Sequence, residues 1–226
     1  MVKNHLKRLN APKTWAIQRK TQPFVTRPNP GSHTYDLCVS INTFLKDYTD
    51  IVHTTKETKY LLKNNDVYVN DTRVDDHKHQ IGFLDVLDIP HADIHILVSV
   101  NNKAQLKALH HDEISERFDK ITGKKHVKGG KTQLTTLNGE TFLVDNDDHN
   151  TGSTLRFTKA QKSIKNVYEF KADAPAFIFR GKHAGKKGTL TEIRDDLIVL
   201  ETEDEKIQTK KDYTLITGNK RASIDL

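Results

Sequence analysis

The chain is short of the residues that disulfide frameworks, cysteine-based metal sites and membrane spans require. Its 226 residues include one cysteine, Cys38, which excludes an internal disulfide and a zinc site built on cysteines. No run of about 18 apolar residues is present to span a bilayer, and the first residues lack the apolar stretch of a secretory signal. We therefore expect a cytoplasmic protein whose cysteine stays reduced.

Acidic residues are missing from the first 35 positions, which hold seven Lys and Arg and four of the six prolines. A second basic block, residues 153–187, has nine basic and two acidic residues, whereas the segments outside the two blocks are net acidic. Concentrated positive charge favours a polyanionic partner, because binding releases counterions from it. This distribution favours a nucleic-acid-binding protein over a mildly basic protein without such a partner.

The prolines of residues 1–35 disfavour a long helix, since each fixes its own φ and makes the preceding residue extended. We expect a basic arm that is extended in solution and becomes ordered on a partner. Two aromatic residues of this arm, Trp15 and Phe24, are candidates either for stacking on bases or for docking on the protein's own surface.

Residues 36–93 are predicted to form a small domain with the order helix, helix, hairpin, strand. Five apolar residues recur on one face of the first helix: Leu37, Ile41, Phe44, Leu45 and Tyr48. Thr54 and Glu57 have the spacing of a capping box, which starts the second helix. Asn70–Asp71 suits the turn of the hairpin, because both residue types tolerate positive φ.

The rest of the chain is predicted to be rich in β-strands. Residues 94–170 form a central β-rich domain with a hairpin signal at Asn138–Gly139, although the apolar spacing of residues 104–121 also fits a helix. Residues 171–226 suggest a small SH3-like barrel, because turn signals separate several short runs of β-forming residues. Those runs are residues 175–179, 188–193, 197–201 and 206–210. The predicted fold class is multidomain α+β.

The sequence lacks the motifs of nucleotide hydrolysis and calcium binding. RGKHAGKKGTL, residues 180–190, fails as a phosphate-binding P-loop. Its first two glycines, Gly181 and Gly185, are separated by three residues instead of four, and Lys187 stands where Ser or Thr is needed. KHVKGGKT has a lysine at the first glycine position and is better explained as a turn that enters a strand. DNDDHNTG is acidic, but the glycine and the glutamate of a calcium loop are missing.

Catalytic and metal-binding patterns are missing as well. The twelve histidines include no HExxH motif, and no signature of nucleophilic catalysis is present. Cys38 lies on the apolar face of the first predicted helix, which indicates a core residue. We therefore expect no metal, no cofactor, no small-molecule substrate and no enzymatic activity.

Three basic features remain, and together they favour a polyanion. The candidate contacts of the arm are Lys3, Lys7, Arg8, Lys13, Trp15, Arg19, Lys20 and Arg27. Those of the second helix and the segment after it are Lys56, Lys59, Lys63, Arg73 and Lys78. Those of the glycine-bearing loop are Arg180, Gly181, Lys182, Gly185, Lys186, Lys187 and Gly188. The helix lysines share one face at their spacing, and glycines in the loop permit close backbone approach to a ligand.

Three stretches of the sequence, taken in order, are typical of one protein family. HLKRLNAPKTW and RPNPGSH are similar to its N-terminal signature. ETKYLLKNNDVYVNDTRVDDHKHQIGFLDVLDIP resembles the S-four-type RNA-binding module, and PAFIFRGKHAGKKGTLTEI resembles the KOW motif, a strand, a glycine-bearing loop and a second strand. End to end, the chain resembles the archaeal and eukaryotic small-subunit ribosomal protein family S4e.

The resemblance implies a structural constituent of the small, 30S-type ribosomal subunit that binds 16S-type ribosomal RNA beside other ribosomal proteins. It also implies a protein that is not an enzyme and has no membrane partner. The hairpin departs from the family's pattern, with Asn70–Asp71 where members commonly have Asp-Gly. Two alternatives stay open: an RNA-binding factor outside the ribosome, and an accessory RNA-modification protein that carries the same modules.

Overall fold

The computed structural model describes residues 5–145, 149–159, 163–202, 205–219 and 222–223. The chain divides into two compact units. The N-terminal unit contains Met1–Ser99 and Gln105–Ile114, and the C-terminal unit contains Val100–Ala104 and Ser115–Leu226. Within the described residues, two α-helices and six β-sheets make the fold class multidomain α+β.

The first 35 residues differ from the arm that the sequence predicts. A short ribbon pairs β1 (Leu6–Lys7) with β2 (Phe24–Val25). Trp15 is buried with 1% of its surface exposed, and its ring contacts that of Tyr35 with centroids 5.7 Å apart. Residues 5–35 therefore belong to the N-terminal unit, where an apolar anchor holds them, and residue 35 marks no boundary between compact units.

The rest of the N-terminal unit follows the predicted order of helix, helix, hairpin and strand. Its elements are β3 (Cys38–Ser40), α1 (Ile41–Asp47), α2 (Thr55–Asn64), β4 (Tyr68–Val69), β5 (Thr72–Arg73), β6 (Gln80–Gly82), β7 (Val86–Ile89), β8 (Ile94–Val100) and β9 (Leu106–His111). The first helix is shorter than predicted, because residues 38–40 are extended and pair with β6. The second helix begins with the predicted capping box of Thr54 and Glu57.

The sheet of this unit has the strand order β5-β4-β7-β8-β9. Its hairpin turns at Asn70 and Asp71, whose φ angles of 52° and 64° fit the predicted tight turn. The helix offered as an alternative for residues 104–121 is wrong, since β9 occupies its first half and a strand of the C-terminal unit begins at Glu116. The same leucine spacing is satisfied by a half-buried strand once neighbouring strands cover one face.

The C-terminal unit begins with a five-stranded antiparallel arrangement. Its strands are β10 (Glu116–His126), β11 (Thr132–Thr136), β12 (Thr141–Val144), β13 (Thr154–Thr158) and β14 (Ile164–Tyr168), in the order β12-β11-β10-β13-β14. The predicted hairpin at Asn138–Gly139 joins β11 to β12, with Gly139 at a φ of 77°. Its core contains Ile121, Leu134, Leu155 and Phe157, all fully buried.

A second five-stranded sheet follows in the same unit. Its strands and those of a small terminal pair are β15 (Pro175–Ile178), β16 (Lys187–Arg194), β17 (Leu197–Glu201), β18 (Lys206–Lys210), β19 (Thr214–Ile216), β20 (Gly218–Asn219) and β21 (Ala222–Ser223). The sheet has the order β18-β17-β16-β15-β19, so the four predicted strands are confirmed and β19 is added. Tyr168 of β14 belongs to the core of this sheet, which explains why no boundary between compact units falls at residue 170.

A buried polar cluster connects β10 to the segment that leads into β19. The Lys120 Nζ donates to the carbonyl oxygens of Lys211 and Thr214, both at 2.7 Å. Burial lowers the pKa of Lys120 to about 8. The neighbouring Asp119 carboxylate accepts from the N–H groups of Lys120 and Asn138. Burial nevertheless raises the pKa of Asp119 to about 7.

Candidate nucleic-acid interface

The outer face of α2 presents the three lysines that the sequence predicts as contacts. Thr58 and Leu62 are buried and fix the inner face of the helix. Lys56, Lys59 and Lys63 are exposed, at the spacing that places them on the opposite side. None of the three has an ion-pair partner among the described residues, so their charge faces solvent.

An exposed aromatic ring lies within this lysine face. Tyr60 leaves 69% of its surface accessible, four residues after Lys56 and three before Lys63. Burial and the charge of Lys59 lower the pKa of His77. Tyr60 is not among the contacts predicted from the sequence. Its position between lysines at helical spacing is the signal that identifies it, because aromatic rings beside cations are stacking platforms for bases.

The two predicted contacts in the segment after α2 differ in their exposure. Arg73 is exposed on β5, where its Nε lies 3.2 Å from the Asp66 carboxylate. Lys78 is partly buried, and its backbone bonds to Asn29 and Asp76. The charge of Arg73 is thus shared with an acid, while the backbone of Lys78 helps to hold the N-terminal residues.

A buried carboxylate shapes the turn beside these residues. Asp85 accepts hydrogen bonds from the Asn70 side chain at 2.6 Å and from the Gly82 N–H at 2.8 Å, and its carboxylate lies 2.6 Å from His33 Nε2. Burial alone would raise the pKa of Asp85, but the charge and hydrogen bond of His33, with those of Asn70 and Gly82, lower it. The Asn70 side-chain oxygen also accepts from the Val86 N–H at 3.0 Å. Asparagine at this turn therefore has a structural role, since its side chain donates to Asp85 and accepts from Val86.

Three predicted contacts of the N-terminal residues point inward. The Arg8 guanidinium is 4% exposed and donates to the Asp47 carboxylate and to the carbonyl of Gln18. Arg19 donates to two backbone carbonyls, those of Ala11 and Pro12, at 2.8 and 2.7 Å. Trp15 is buried, which realises the second of its two expected alternatives, docking on the protein's own surface.

The other basic residues of this segment remain on the surface. Lys7, Lys13, Lys20 and Arg27 are exposed. Lys3 lies outside the described residues. The structure therefore brings a smaller number of charges to solvent here than the composition of residues 1–35 indicates.

The glycine-bearing loop joins β15 to β16 and forms a compact turn. The Gly185 N–H donates to the carbonyl of Ile178 at 2.7 Å, and the Ile178 N–H donates to that of Lys186 at 3.0 Å. The loop enters a strand instead of a helix, so the geometry of a P-loop is not formed. Lys182 and Lys187 are exposed and have no ion-pair partner among the described residues.

The glycines of this loop are explained by the unit's own packing. Gly181 and Gly185 have φ angles of 91° and 86°, which side chains rarely adopt. An added Cβ at Gly185 would overlap the backbone of Asn101 and Asn102, and one at Gly188 would lie 2.7 Å from the Glu201 carbonyl oxygen. Their place in the sequence therefore follows from the tight fold of the turn.

Two further cations of the loop region have partners on the protein. The Lys186 Nζ lies 2.6 Å from the Glu205 carboxylate, and this hydrogen bond lowers the pKa of Glu205. The Arg180 guanidinium lies over the ring of Tyr213, 5.7 Å from its centroid, and the Lys210 Nζ lies 6.0 Å from the same centroid. Tyr213 and Lys210 are not among the contacts predicted from the sequence, although the basic pair Lys210–Lys211 lies two positions before this aromatic residue.

The described residues also bear on two other kinds of site. They contain no group of three or more His, Cys, Asp or Glu side chains arranged to hold a metal ion. Neither of the two helices found in this part of the chain has the length and apolar character that crossing a bilayer requires.

Comparisons with known proteins match the chain over most of its length. Residues 2–36 match the model of the RS4NT domain, and residues 93–164 match the model of ribosomal family S4e. The small ribosomal subunit protein eS4 of Nanoarchaeum equitans is 33% identical over 195 residues, 85% of this chain and 83% of that protein. The protein of the same name from Methanosphaera stadtmanae is 29% identical over 99% of this chain and 96% of its own length.

A solved structure has the same fold. The crystal structure of the 30S ribosomal protein S4e from Thermoplasma acidophilum matches with a TM-score of 0.72 at 24% identity, covering 83% of this chain and 98% of that one. With the sequence relatives above, this likeness accounts for both the N-terminal residues and the β-rich remainder. The chain belongs to the S4e family of ribosomal proteins.

Proposed function

We propose that the protein is a structural constituent of the small, 30S-type ribosomal subunit and binds 16S-type ribosomal RNA there. Its place is the ribosome, in the cytoplasm, beside other ribosomal proteins. In this proposal α1, α2 and the hairpin β4–β5 form an S-four-type RNA-binding module, and β15 to β19 form a KOW-containing, SH3-like barrel. The protein has no catalytic role.

One observation carries the proposal beyond family membership. Exposed lysines without acidic partners in the described residues occur on two different scaffolds, on α2 at Lys56, Lys59 and Lys63, and on the β15–β16 connection at Lys182 and Lys187. Like charges placed together repel, so surfaces of this kind gain stability when a polyanion covers them. A large folded RNA offers phosphates at both places.

In physical terms the protein acts as a clamp with several contact points. Lysine ammonium groups neutralise phosphates and release counterions, which fixes position without reading sequence. Specificity comes from the shape of the RNA and from unstacked bases, for which Tyr60 on α2 and Phe24 on β2 are exposed rings. The inward-facing Arg8, Trp15 and Arg19 act by holding the N-terminal residues in place.

The N-terminal residues contribute a third contact through their outer charges. Lys7, Lys13, Lys20 and Arg27 are exposed on a segment that the N-terminal unit already orders. Binding through a preordered segment avoids the backbone entropy cost of roughly 1–2 kcal/mol per residue that a free arm would bear. These four residues are accordingly the proposed contacts of the segment.

The test is sedimentation of the tagged chain from cells that express it, on sucrose gradients after a high-salt wash. We expect it to migrate with small subunits, and purified protein to bind 16S-type RNA more tightly than an unrelated structured RNA of equal length. Migration at the top of the gradient, with RNA affinity retained, would instead support a non-ribosomal RNA-binding factor. Uridine isomerisation in stripped ribosomal RNA on addition of the protein would support a modification protein.

A further inference from the structure

The C-terminal unit carries a basic hairpin that none of the surfaces described above includes. We call residues 124–131, between the ends of β10 and β11, the hairpin tip. Its lysines are Lys124, Lys125, Lys128 and Lys131, and it also contains His126. Every residue of the tip is exposed except Val127, which is half-buried.

The pairing of β10 explains why the tip projects. The first five residues of this strand, Glu116 to Lys120, pair with β13, whereas its residues from Ile121 onward pair with β11. The ladder runs to the pair of His126 with Thr132, and the Val127 N–H closes the turn on the Lys131 carbonyl at 2.9 Å. The tip therefore lies beyond the part of β10 that β13 covers, on a ribbon of β10, β11 and β12.

The charge of two lysines in the tip is uncompensated by other described residues, and that of a third is only weakly compensated. Lys125 and Lys128 have no ion-pair partner in the described part of the chain. The Lys131 Nζ lies 3.3 Å from the Asp145 carboxylate, but these side chains are 54% and 82% exposed, and ion pairs so exposed stabilise little. The hairpin tip of β16 and β17 in the same unit has Asp195–Asp196 instead, so a basic tip is not a general feature of this unit's hairpins.

The backbone of the turn is open to a ligand. Gly129 and Gly130 have φ angles of 91° and 74°, and a Cβ added at either would meet no atom within 4 Å. Neither N–H group has an acceptor among the described residues. Open N–H groups beside ammonium groups are the donors that phosphate oxygens accept from.

From this arrangement we propose that the hairpin tip is an additional RNA contact, which binds the sugar–phosphate backbone of structured RNA. The proposal rests on the function proposed above and adds a site to it. An acidic protein partner is disfavoured, because the tip offers lysines and glycines, whereas stable protein interfaces are depleted of lysine and depend on aromatic and arginine anchors.

The first measurement is the salt dependence of affinity for small-subunit RNA. The variant Lys125→Ala/Lys128→Ala should lower the slope of log affinity against log salt by about 0.7–0.9 for each lost phosphate contact, so by about 1.5 in total. The control is Lys171→Ala/Lys206→Ala, which removes the same charge from the same unit at exposed lysines outside the hairpin tip. That control should leave the slope close to the original value.

The second measurement maps the tip on the RNA with a tethered hydroxyl-radical source. The native Cys38 is fully buried and burial raises the pKa of its thiol to about 12, so an introduced cysteine is the reactive one. Lys128→Cys places the source at the tip, and Asp196→Cys places it on the acidic hairpin as the matched control. We expect a discrete set of RNA cleavages from the first position and weak or different cleavage from the second.

The outcomes separate the two levels of the proposal. An original chain that does not bind small-subunit RNA overturns the proposed function and this site with it. An original chain that binds, with an unchanged slope in the tip variant and no cleavage from Lys128→Cys, overturns the hairpin site alone. A crosslinker attached at Lys128→Cys gives a further outcome in assembled particles. If it joins the tip to protein, and no RNA cleavage occurs, the tip contacts a protein partner and the proposed RNA site is also overturned.

Discussion

Two arginines of this chain are buried in ion pairs, whereas most of the candidate lysines lie on the surface. The Arg8 guanidinium is buried against Asp47, and Arg117, 1% exposed, donates to the Glu140 carboxylate at 2.7 Å. The lysines of α2 and of the β15–β16 loop stay in solvent. A guanidinium satisfies several acceptors with one rigid fork, whereas an ammonium group is a strongly hydrated point charge. The charge available to RNA is therefore carried mainly by lysine.

At the scale of single residues, Asp119 makes the stability of the C-terminal unit depend on pH. Burial raises its pKa to about 7, from 3.8 in the unfolded chain, so the folded state holds a proton between these values that the unfolded state releases. This contribution to the free energy of unfolding is full below pH 3.8 and is lost as the pH rises through 7. Relative to Asp119→Asn, which cannot titrate, the original chain should lose on the order of 2–4 kcal/mol between pH 4 and pH 8.

Chemical denaturation followed by far-ultraviolet circular dichroism measures this difference. The loss of one acceptor oxygen in Asp119→Asn is the same at every pH. The prediction therefore concerns how the free energy of unfolding changes with pH and not its absolute value. For Asp196→Asn, at an exposed carboxylate of the same unit, the free energy of unfolding should change with pH in parallel with that of the original chain. Parallel curves for Asp119→Asn as well would show that Asp119 is ionised in the folded state across this range.

The sequence predicts the exposed residues of the site better than the buried ones. Lys56, Lys59 and Lys63 follow from helical spacing, because the hydrophobic inner face of α2 is visible in the sequence. The inward direction of Arg8 and Trp15 depends on Asp47 and Tyr35, which are distant along the chain. Composition marked these residues as part of a basic arm, and only the tertiary contacts identify them as its anchors.

At the scale of elements, the sequence predicts the helix cap and the turns correctly. It does not predict structure that depends on pairing between distant strands. The capping box of α2 and the turns at Asn70–Asp71 and Asn138–Gly139 lie where the sequence predicts them, since each is determined within four residues. The helix expected over residues 104–121 is instead two strands, and β10 pairs with β13, more than thirty residues away. The spacing of apolar residues alone does not distinguish a helix from a strand here, because long-range strand pairing can override a helical pattern.

The N-terminal segment allows a direct test of element-scale docking. We expect the backbone N–H groups of Arg8, Ala16 and Asn29 to exchange slowly with solvent in the free protein. Their acceptors are the Pro23 carbonyl at 3.0 Å, the Tyr48 hydroxyl at 2.9 Å and the Lys78 carbonyl at 2.9 Å. The measurement is amide hydrogen exchange by nuclear magnetic resonance without RNA, with Lys13 and Lys20 as exposed references.

A variant pair makes this expectation quantitative. Trp15→Ala removes the buried anchor at a cost of about 3–5 kcal/mol and should speed exchange at these positions on the order of a hundredfold or more. Phe24→Ala, at a ring that is 53% exposed in the same segment, should change exchange little. If these groups in the original chain exchange as fast as those of an unfolded peptide, the N-terminal segment is instead the free arm that its composition predicts.

At the scale of the whole molecule, exposed lysines occur on separate structural elements of both compact units. The net charge of +6 is modest, yet the lysines of α2, the loop lysines and the hairpin tip each form a local cluster. Buried residues support these elements: Thr58 and Leu62 anchor α2, and two hydrophobic clusters underlie the sheets of the C-terminal unit. We expect a protein built in this way to bind RNA through several clusters, whose contacts contribute to affinity as independent charges.

Additivity of the salt response tests this view of the molecule. Lys56→Ala/Lys59→Ala/Lys63→Ala and Lys182→Ala/Lys187→Ala should each lower the salt slope of RNA affinity by about 0.7–0.9 per lost contact. Lys186 is left unchanged so that its ion pair with Glu205 stays intact. The five-residue combination should lower the slope by the sum of the two, because counterion release counts phosphates and the clusters share no residue. The same lysines changed to arginine retain the charge and should retain the slope, and a combined loss no larger than that of one cluster would mean that RNA engages a single surface.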